Sequence, residues 1–257
     1  MSAKVIGISN QKGGVGKTTT AVSLAAGLNK KGIKTLLVDT DPQSNSTNTF
    51  NAAIENQATL YDLLLDGADV HECIQHTDAG DIIASDPLLN SAEQKFPADT
   101  SRFFVLKKAL KPILNDYEYI IIDTPPALGV ILSNVFTVAN EILVPMLADK
   151  YSIDGITELI KNINNAQEYT NPELSINGIL MVMYNDRTKL DRNVVLSLGK
   201  ACEDIGAKLY NTKIRRSQAC KESQMNNMTI YDYAPKSTTA LDYSDFVNEF
   251  LSLNNII

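Results

Sequence analysis

The tract that most constrains this chain is Gln11-Lys12-Gly13-Gly14-Val15-Gly16-Lys17-Thr18-Thr19. It follows a short apolar strand pattern at Lys4–Ser9 and opens a helical pattern over Thr18–Lys31. A strand that runs through a glycine-rich turn into a helix gathers backbone N–H groups and the positive end of that helix around one point, which is how a chain cradles phosphate. Glycines serve the turn because its backbone angles are ones a Cβ would resist. Lys17 is spaced to neutralise β- and γ-phosphates, and the Thr18 hydroxyl to ligate Mg²⁺. The usual pattern has a glycine five residues before Gly16. Here that position is Gln11, and Lys12 stands ahead of a Gly pair, so the loop is a variant.

Such a loop belongs to an alternating architecture, and the rest of the chain agrees. Strand patterns recur at Lys34–Asp39, Asp81–Ala84, Tyr119–Asp123, Glu141–Pro145 and Ile176–Tyr184, with a weaker one at Lys208–Tyr210. Most are continuous apolar runs, the signature of strands buried on both faces. Between them, helical spacing appears at Thr59–Asp66, Ser101–Asn115, Ile153–Tyr169, Asp191–Ile205 and Thr239–Leu253. The expected fold is a doubly wound α/β domain over residues 1–257, with a mainly parallel sheet, helices on both faces and ligands at the carboxyl ends of the strands.

Two strand patterns end in carboxylates: Val38-Asp39-Thr40-Asp41-Pro42-Gln43 and Ile120-Ile121-Ile122-Asp123-Thr124-Pro125-Pro126. A carboxylate after three isoleucines is costly to bury unless something compensates it. Asp123 suits the holding of Mg²⁺ through a water, the alternative being a strand-end cap.

Composition removes other classes. With 44% hydrophobic and 21% charged residues in 257, the chain is neither disordered nor a coiled coil. The three cysteines, Cys73, Cys202 and Cys220, form no CxxC pair, so reduced thiols are expected and cluster chemistry is not. His71-Glu72-Cys73-Ile74-Gln75-His76 lacks a second ligand cluster and reads as a surface helix. The longest uncharged stretch, Thr124–Asn140, is interrupted by Pro125, Pro126 and Gly129, so no membrane span is expected. No secretory leader pattern precedes the first strand, which points to the cytoplasm. Net charge is −7, yet the stretch from Arg187 to Glu222 holds nine basic residues against four acidic ones. A basic segment on an acidic chain is the footprint of a polyanion partner, or else a solvated face.

These tracts resemble the ParA/Soj branch of the deviant Walker A ATPases, the group that includes MinD. The resemblance rests on KGGVGKTT at 12–19, VDTDPQ at 38–43, IIIDTPP at 120–126, a strand ending Met183-Tyr184-Asn185, and Ile230–Ser237 before the last helical pattern. It implies that ATP and Mg²⁺ are bound by Lys12, Gly13, Gly14, Val15, Gly16, Lys17, Thr18 and Thr19. It further implies that Lys12 reaches the phosphates of a partner subunit in an ATP-bound homodimer, that Asp41 orients the attacking water, and that Asp39 lies near the Mg²⁺ shell with Asp123. Adenine is then held around Asn185 and Pro235, and non-specific double-stranded DNA on a surface containing Lys213, Arg215 and Arg216. The implied partner is a ParB-type centromere-binding protein, and the implied location the nucleoid. Where relatives carry Ile-Pro-Arg-Asn-Val-Arg, this chain has Ile214-Arg215-Arg216-Ser217-Gln218-Ala219.

The implied activity is a DNA-partitioning ATPase switch. No helix-turn-helix extension is expected, because the chain starts almost at the first strand. One alternative is a MinD-like membrane-cycling ATPase, which needs a basic amphipathic end. Residues 241–257 carry three acidic and no basic side chains, so their apolar stripe reads as core. The other is an ATPase that positions a protein cargo.

Overall fold

Strands that read as unbroken apolar runs form the middle of one sheet, because each presents side chains to a core on either face. A computed structural model of the chain describes residues 2–149, 152–185, 187–204 and 206–254. Its strands are β1 (Lys4–Ile8), β2 (Thr35–Asp39), β3 (Ile74–Thr77), β4 (Gly80–Ile83), β5 (Tyr119–Asp123), β6 (Glu141–Met146), β7 (Ser175–Tyr184) and β8 (Leu209–Arg215). They form one eight-stranded sheet in the order β3-β4-β2-β5-β1-β6-β7-β8. Neighbours run parallel except β3 and β4, which are antiparallel.

The helices are α1 (Lys17–Lys30), α2 (Asn45–Thr49), α3 (Val70–Cys73), α4 (Val105–Leu110), α5 (Val130–Val138), α6 (Ser152–Tyr169), α7 (Lys189–Asp204), α8 (Gln218–Met225), α9 (Ile230–Tyr233) and α10 (Thr238–Leu253). Two buried clusters lie on opposite faces. Along β5, Ile120 and Ile122 face one cluster, Tyr119 and Ile121 the other. On the second face α10 buries Tyr243, Phe246, Val247 and Phe250 beside Leu24 and Leu28 of α1. Each such apolar side chain removed from water is worth about 1.5–3 kcal/mol. The apolar stripe of the last helix is therefore core, as the sequence indicated. Asn255, Ile256 and Ile257 lie outside the described residues, as does Ile205, the expected end of the helix begun near Asp191. Among the described residues no helix is long and apolar enough to cross a membrane.

Several local expectations are corrected. The His71–His76 tract is not a surface helix. The Asp69 side chain caps a single turn by accepting from His71 N at 2.8 Å, and the chain then extends into edge strand β3. There Gln75 exchanges two hydrogen bonds with the Ala53 backbone, at 2.8 and 2.7 Å, and His76 Nδ1 lies 2.6 Å from Asp81. Among the described residues no group of three or more His, Cys, Asp or Glu side chains is arranged to hold a metal ion. The expected helix at Ser101–Asn115 breaks into a 3₁₀ turn at Thr100–Phe103, then α4, then a 3₁₀ turn at Lys111–Ile113 that contains Pro112, a residue that cannot continue an α-helix. In place of a helix from Thr59, a wide π-type turn spans Asp62–Asp66. The weak strand at Lys208–Tyr210 becomes seven-residue β8, which carries Lys213 and Arg215 on the sheet edge. Helices α2, α5 and α8 are too short or too uniformly apolar or polar for their spacing to be read from sequence.

Candidate nucleotide-binding site

The strand order reverses around β1, whose neighbours β5 and β6 are reached by separate excursions of the chain, so the loop after β1 opens at the crevice where such folds bind ligands. Register sets the carboxylates beside it: Asp123 pairs with Ile8 of β1 and with Asp39 of β2. The loop itself is built from below. Asn10 donates its side-chain amide to Pro145 O at 2.9 Å and accepts from Lys12 N at 3.0 Å, while Val15 is buried as an anchor. Gly14 and Gly16 sit at φ +71° and +75°, the left-handed region in which a Cβ is strained. A Cβ at Gly14 would meet nothing within 4 Å, so this glycine answers to the turn and to what approaches it, not to packing.

Lys17, first residue of α1, is buried and donates to Lys12 O at 3.2 Å. Burial pulls its pKa down, while the charges of Asp123 and Asp41 pull it up. Loop residues Gly13, Gly14, Lys17 and Thr18 line one cleft of about 370 Å³ with Asp41 and Pro126.

The three carboxylates have different duties. Asp39 is fully buried and saturated: Oδ1 accepts from Asp41 N at 3.1 Å, and Oδ2 accepts from Thr47 N at 2.9 Å and Thr47 Oγ1 at 2.8 Å. It organises the turn after β2. Asp41 accepts from Gln43 N at 3.0 Å through Oδ1, its backbone carbonyl accepts from Ser85 Oγ at 2.7 Å, and the residue lines the cleft. Asp123 accepts from Ser46 Oγ at 2.8 Å through Oδ2, whereas Oδ1 is buried with no hydrogen-bond partner. Burial raises the pKa of both Asp39 and Asp123. The Asp123 charge raises Asp39 further, while the hydroxyls of Ser46 and Thr18 moderate Asp123. A buried, unpartnered carboxylate oxygen beside a threonine hydroxyl and a phosphate loop fits a divalent cation, with Thr18 and Asp123 as the residues to hold it.

Lys12 makes an ion pair with Asp149, in the turn after β6. Thr19 Oγ1 accepts from Gln224 of α8 at 2.7 Å. Asn185 lies in a neighbouring cavity, whose lining also includes Leu147, Asp149, Tyr184 and Arg216; Met183, at φ +51°, lines both this cavity and the cleft. Pro235 is exposed and lines neither. The basic candidates separate. Lys213 donates to Asn211 O at 3.0 Å and lies 5.9 Å from the Tyr184 ring. Arg215 is bound to Asp242 of α10 by Nε at 3.1 and 3.0 Å and by a terminal nitrogen at 2.5 Å, and its backbone N donates to the same carboxylate at 2.9 Å. Arg216 is exposed. Sequence reasoning missed Ser46 and Thr47, although a Ser/Thr-rich run directly after Asp41 was the signal. It also missed Asp149 and Asp242, which no local pattern marks.

The fold and this site define a nucleotide-binding protein of the P-loop class. The family model described as an AAA domain matches residues 3–176. The chain is 36% identical to the sporulation initiation inhibitor protein Soj of Bacillus subtilis, over 96% of this chain and 97% of that one. It is 34% identical to the chromosome-partitioning ATPase Soj of Treponema pallidum, over 95% of each. It therefore belongs to the Soj/ParA family of ATPases. Among solved structures, cobyrinic acid a,c-diamide synthase from Mycobacterium smegmatis with bound ADP and magnesium superposes with a TM-score of 0.82 at 29% identity, over 96% of this chain and 93% of that one.

Proposed function

We propose that the chain is a Mg-ATP-dependent switch that partitions DNA: ATP closes a dimer, the dimer holds DNA without sequence preference, and hydrolysis releases it. The observation that carries this reading is the juxtaposition, at the carboxyl ends of the sheet, of a phosphate loop, an unpartnered Asp123 oxygen and the start of a segment that concentrates positive charge on an acidic chain. The relative named as a chromosome-partitioning ATPase supports it.

In this reading the loop N–H groups and Lys17 bind the phosphates and Thr18 and Asp123 hold Mg²⁺, which supplies neutralisation of charge on the phosphate oxygens when bound. Asp41, fixed by Gln43 and Ser85, orients the attacking water, a transition-state role that leaves ground-state binding intact. Lys12 exchanges Asp149 for the phosphates of the partner subunit. Adenine lies in the cavity lined by Asn185, with Arg216 beside it, and Pro235 stands outside that wall. Arg215 is a brace between β8 and α10, so DNA contact falls to cations nearby: half-buried Lys213 and exposed Arg216, with exposed Arg187, Lys189 and Arg192 at the start of α7. Two such patches in a dimer multiply phosphate contacts, and the salt-dependent free energy scales with their number. A ParB-type protein then accelerates turnover, and the complex is nucleoid-associated.

Duplex DNA titrated with ATP, with ADP and without nucleotide tests the reading. Binding is expected with ATP alone, falling steeply with salt and indifferent to sequence. Equal affinity in all three states overturns the switch.

A further inference from the structure

On the cluster face opposite α1 and α10, a groove of about 750 Å³ runs between the 3₁₀ turn Thr100–Phe103, the start of α5 and the last turns of α6. Its walls are mostly apolar, with Phe103, Phe104, Leu132 and Phe136, and two large side chains stand out at its rim: Leu128, 54% exposed, and Tyr169, 72% exposed. Thr100 and Phe104 also line an adjoining depression of about 450 Å³, whose other wall carries Lys107, Lys108 and Lys111.

The charge around these depressions is also one-sided. The charged side chains lining the two depressions are Arg102, Lys107, Lys108 and Lys111 against Asp99 alone. Asp99 is committed to its own turn, accepting from Ser101 N at 2.9 Å, and this bonding to Ser101 holds its carboxyl below the usual range. Arg102 lies 5.9 Å from the Phe103 ring, and its Nε is buried without a hydrogen-bond partner. On a chain of net charge −7, an apolar trough with a basic rim complements an occupant that joins apolar to acidic side chains. Isolated exposed apolar residues are ordinary, but two large ones flanking a groove form a contiguous patch of the kind that marks protein contact.

The groove also touches the nucleotide cleft through one short loop. Pro126 lines the cleft, and Leu128 and Gly129 line the groove. The same loop begins at Asp123 and ends at α5. Whatever packs on Leu128 therefore acts two residues from the cleft wall.

We infer that this groove is a docking site for an amphipathic helical segment of a protein partner, apolar on one face and acidic at its flank, and that loop 124–129 carries the occupant's effect to the nucleotide cleft. The docking rests on the groove alone, whereas the effect on turnover rests on the ATPase reading above.

The test pans a phage-displayed library of random 16-residue peptides on the full-length chain, with and without a Leu128→Asp competitor. The best clone is then titrated as a labelled peptide by fluorescence anisotropy. The expected clones carry apolar residues at helical spacing with neighbouring Asp or Glu. Leu128→Asp and the triple variant Lys107→Glu, Lys108→Glu, Lys111→Glu, all at exposed or groove-rim positions, should each weaken the peptide about tenfold or more, which is 1.4 kcal/mol. Melting temperature and ATP affinity should stay unchanged. The peptide should also alter the ATP turnover of the parent chain and not that of Leu128→Asp. Clones indifferent to Leu128→Asp, or clones with basic flanks that the triple variant binds equally well, overturn the docking site. A change in oligomeric state on Leu128→Asp would show that a second copy fills the groove and overturns the partner. Docking as expected without any effect on turnover overturns the coupling through loop 124–129 and leaves the ATPase reading standing.

Discussion

The two flanks of β1 treat charge in opposite ways. On the β5 and β2 side, Asp39, Asp41 and Asp123 are buried, and each is oriented by hydrogen bonds from a neighbouring backbone or hydroxyl group, so every carboxylate has one direction and one duty. On the β7 and β8 side the cations are mostly exposed, and the one that is firmly held, Arg215, is held by Asp242 of a helix far along the chain. A motif in the first region reports geometry. A cluster of like charges in the second reports only composition, and which members reach a partner depends on which ones the fold has already engaged.

The sharpest break of that comparison is at the loop. Lys17→Ala removes the buried loop cation that Asp41 and Asp123 face, and ATP affinity measured by calorimetry should fall by about a hundredfold, near 3 kcal/mol, with turnover reduced to background. Unchanged affinity would mean that this flank is no better specified than the other. Asp41→Ala should keep ATP affinity and lower turnover by about a hundredfold, the usual size of a lost proton-handling or water-orienting group. Single-turnover assays separate the two effects.

On the other flank, Asp242→Ala should destabilise the fold by about 2 kcal/mol in urea unfolding. Asp242 is 6% exposed and accepts both the Arg215 side chain and its backbone N–H, while the exposure of the guanidinium lessens the loss. Arg216→Ala should change stability by less than about 0.5 kcal/mol and weaken DNA binding, with the salt slope lowered by about one per subunit. Equal effects of the two substitutions on stability would erase the distinction between brace and contact.

The last effect concerns pH. Burial, with repulsion from Asp123 in the case of Asp39, holds Asp39 and Asp123 above ordinary carboxylate values. The fold thus binds these protons more tightly than the unfolded chain does. Their contribution to stability is fully present below about pH 4, the unfolded value, and is lost as pH rises through the raised folded values. Melting temperature of the nucleotide-free chain should therefore contain a component that declines with rising pH. Asp123→Asn should flatten it and stabilise the chain by about 1 kcal/mol near pH 8, the equivalent of roughly one pKa unit. Mg²⁺ added to the parent chain should act in the same direction.

The parts whose physics is local were legible in the order of residues. Glycines that must turn at positive φ, a lysine and threonine at the start of a helix, and strands apolar on both faces specify the doubly wound sheet, the phosphate loop and the carboxylates at the ends of β2 and β5. Tertiary structure decided the rest, because long-range pairing leaves no periodic trace. The His71–His76 tract became an edge strand through the side chain of Gln75 and the backbone of Ala53. Asp39 and Asp123, similar at the ends of their strands, diverged when Thr47 saturated one and Ser46 left an oxygen of the other unpartnered. Arg215 and Arg216, adjacent in sequence, were divided by Asp242, which α10 brings against the side chain and backbone N–H of Arg215 while Arg216 stays exposed.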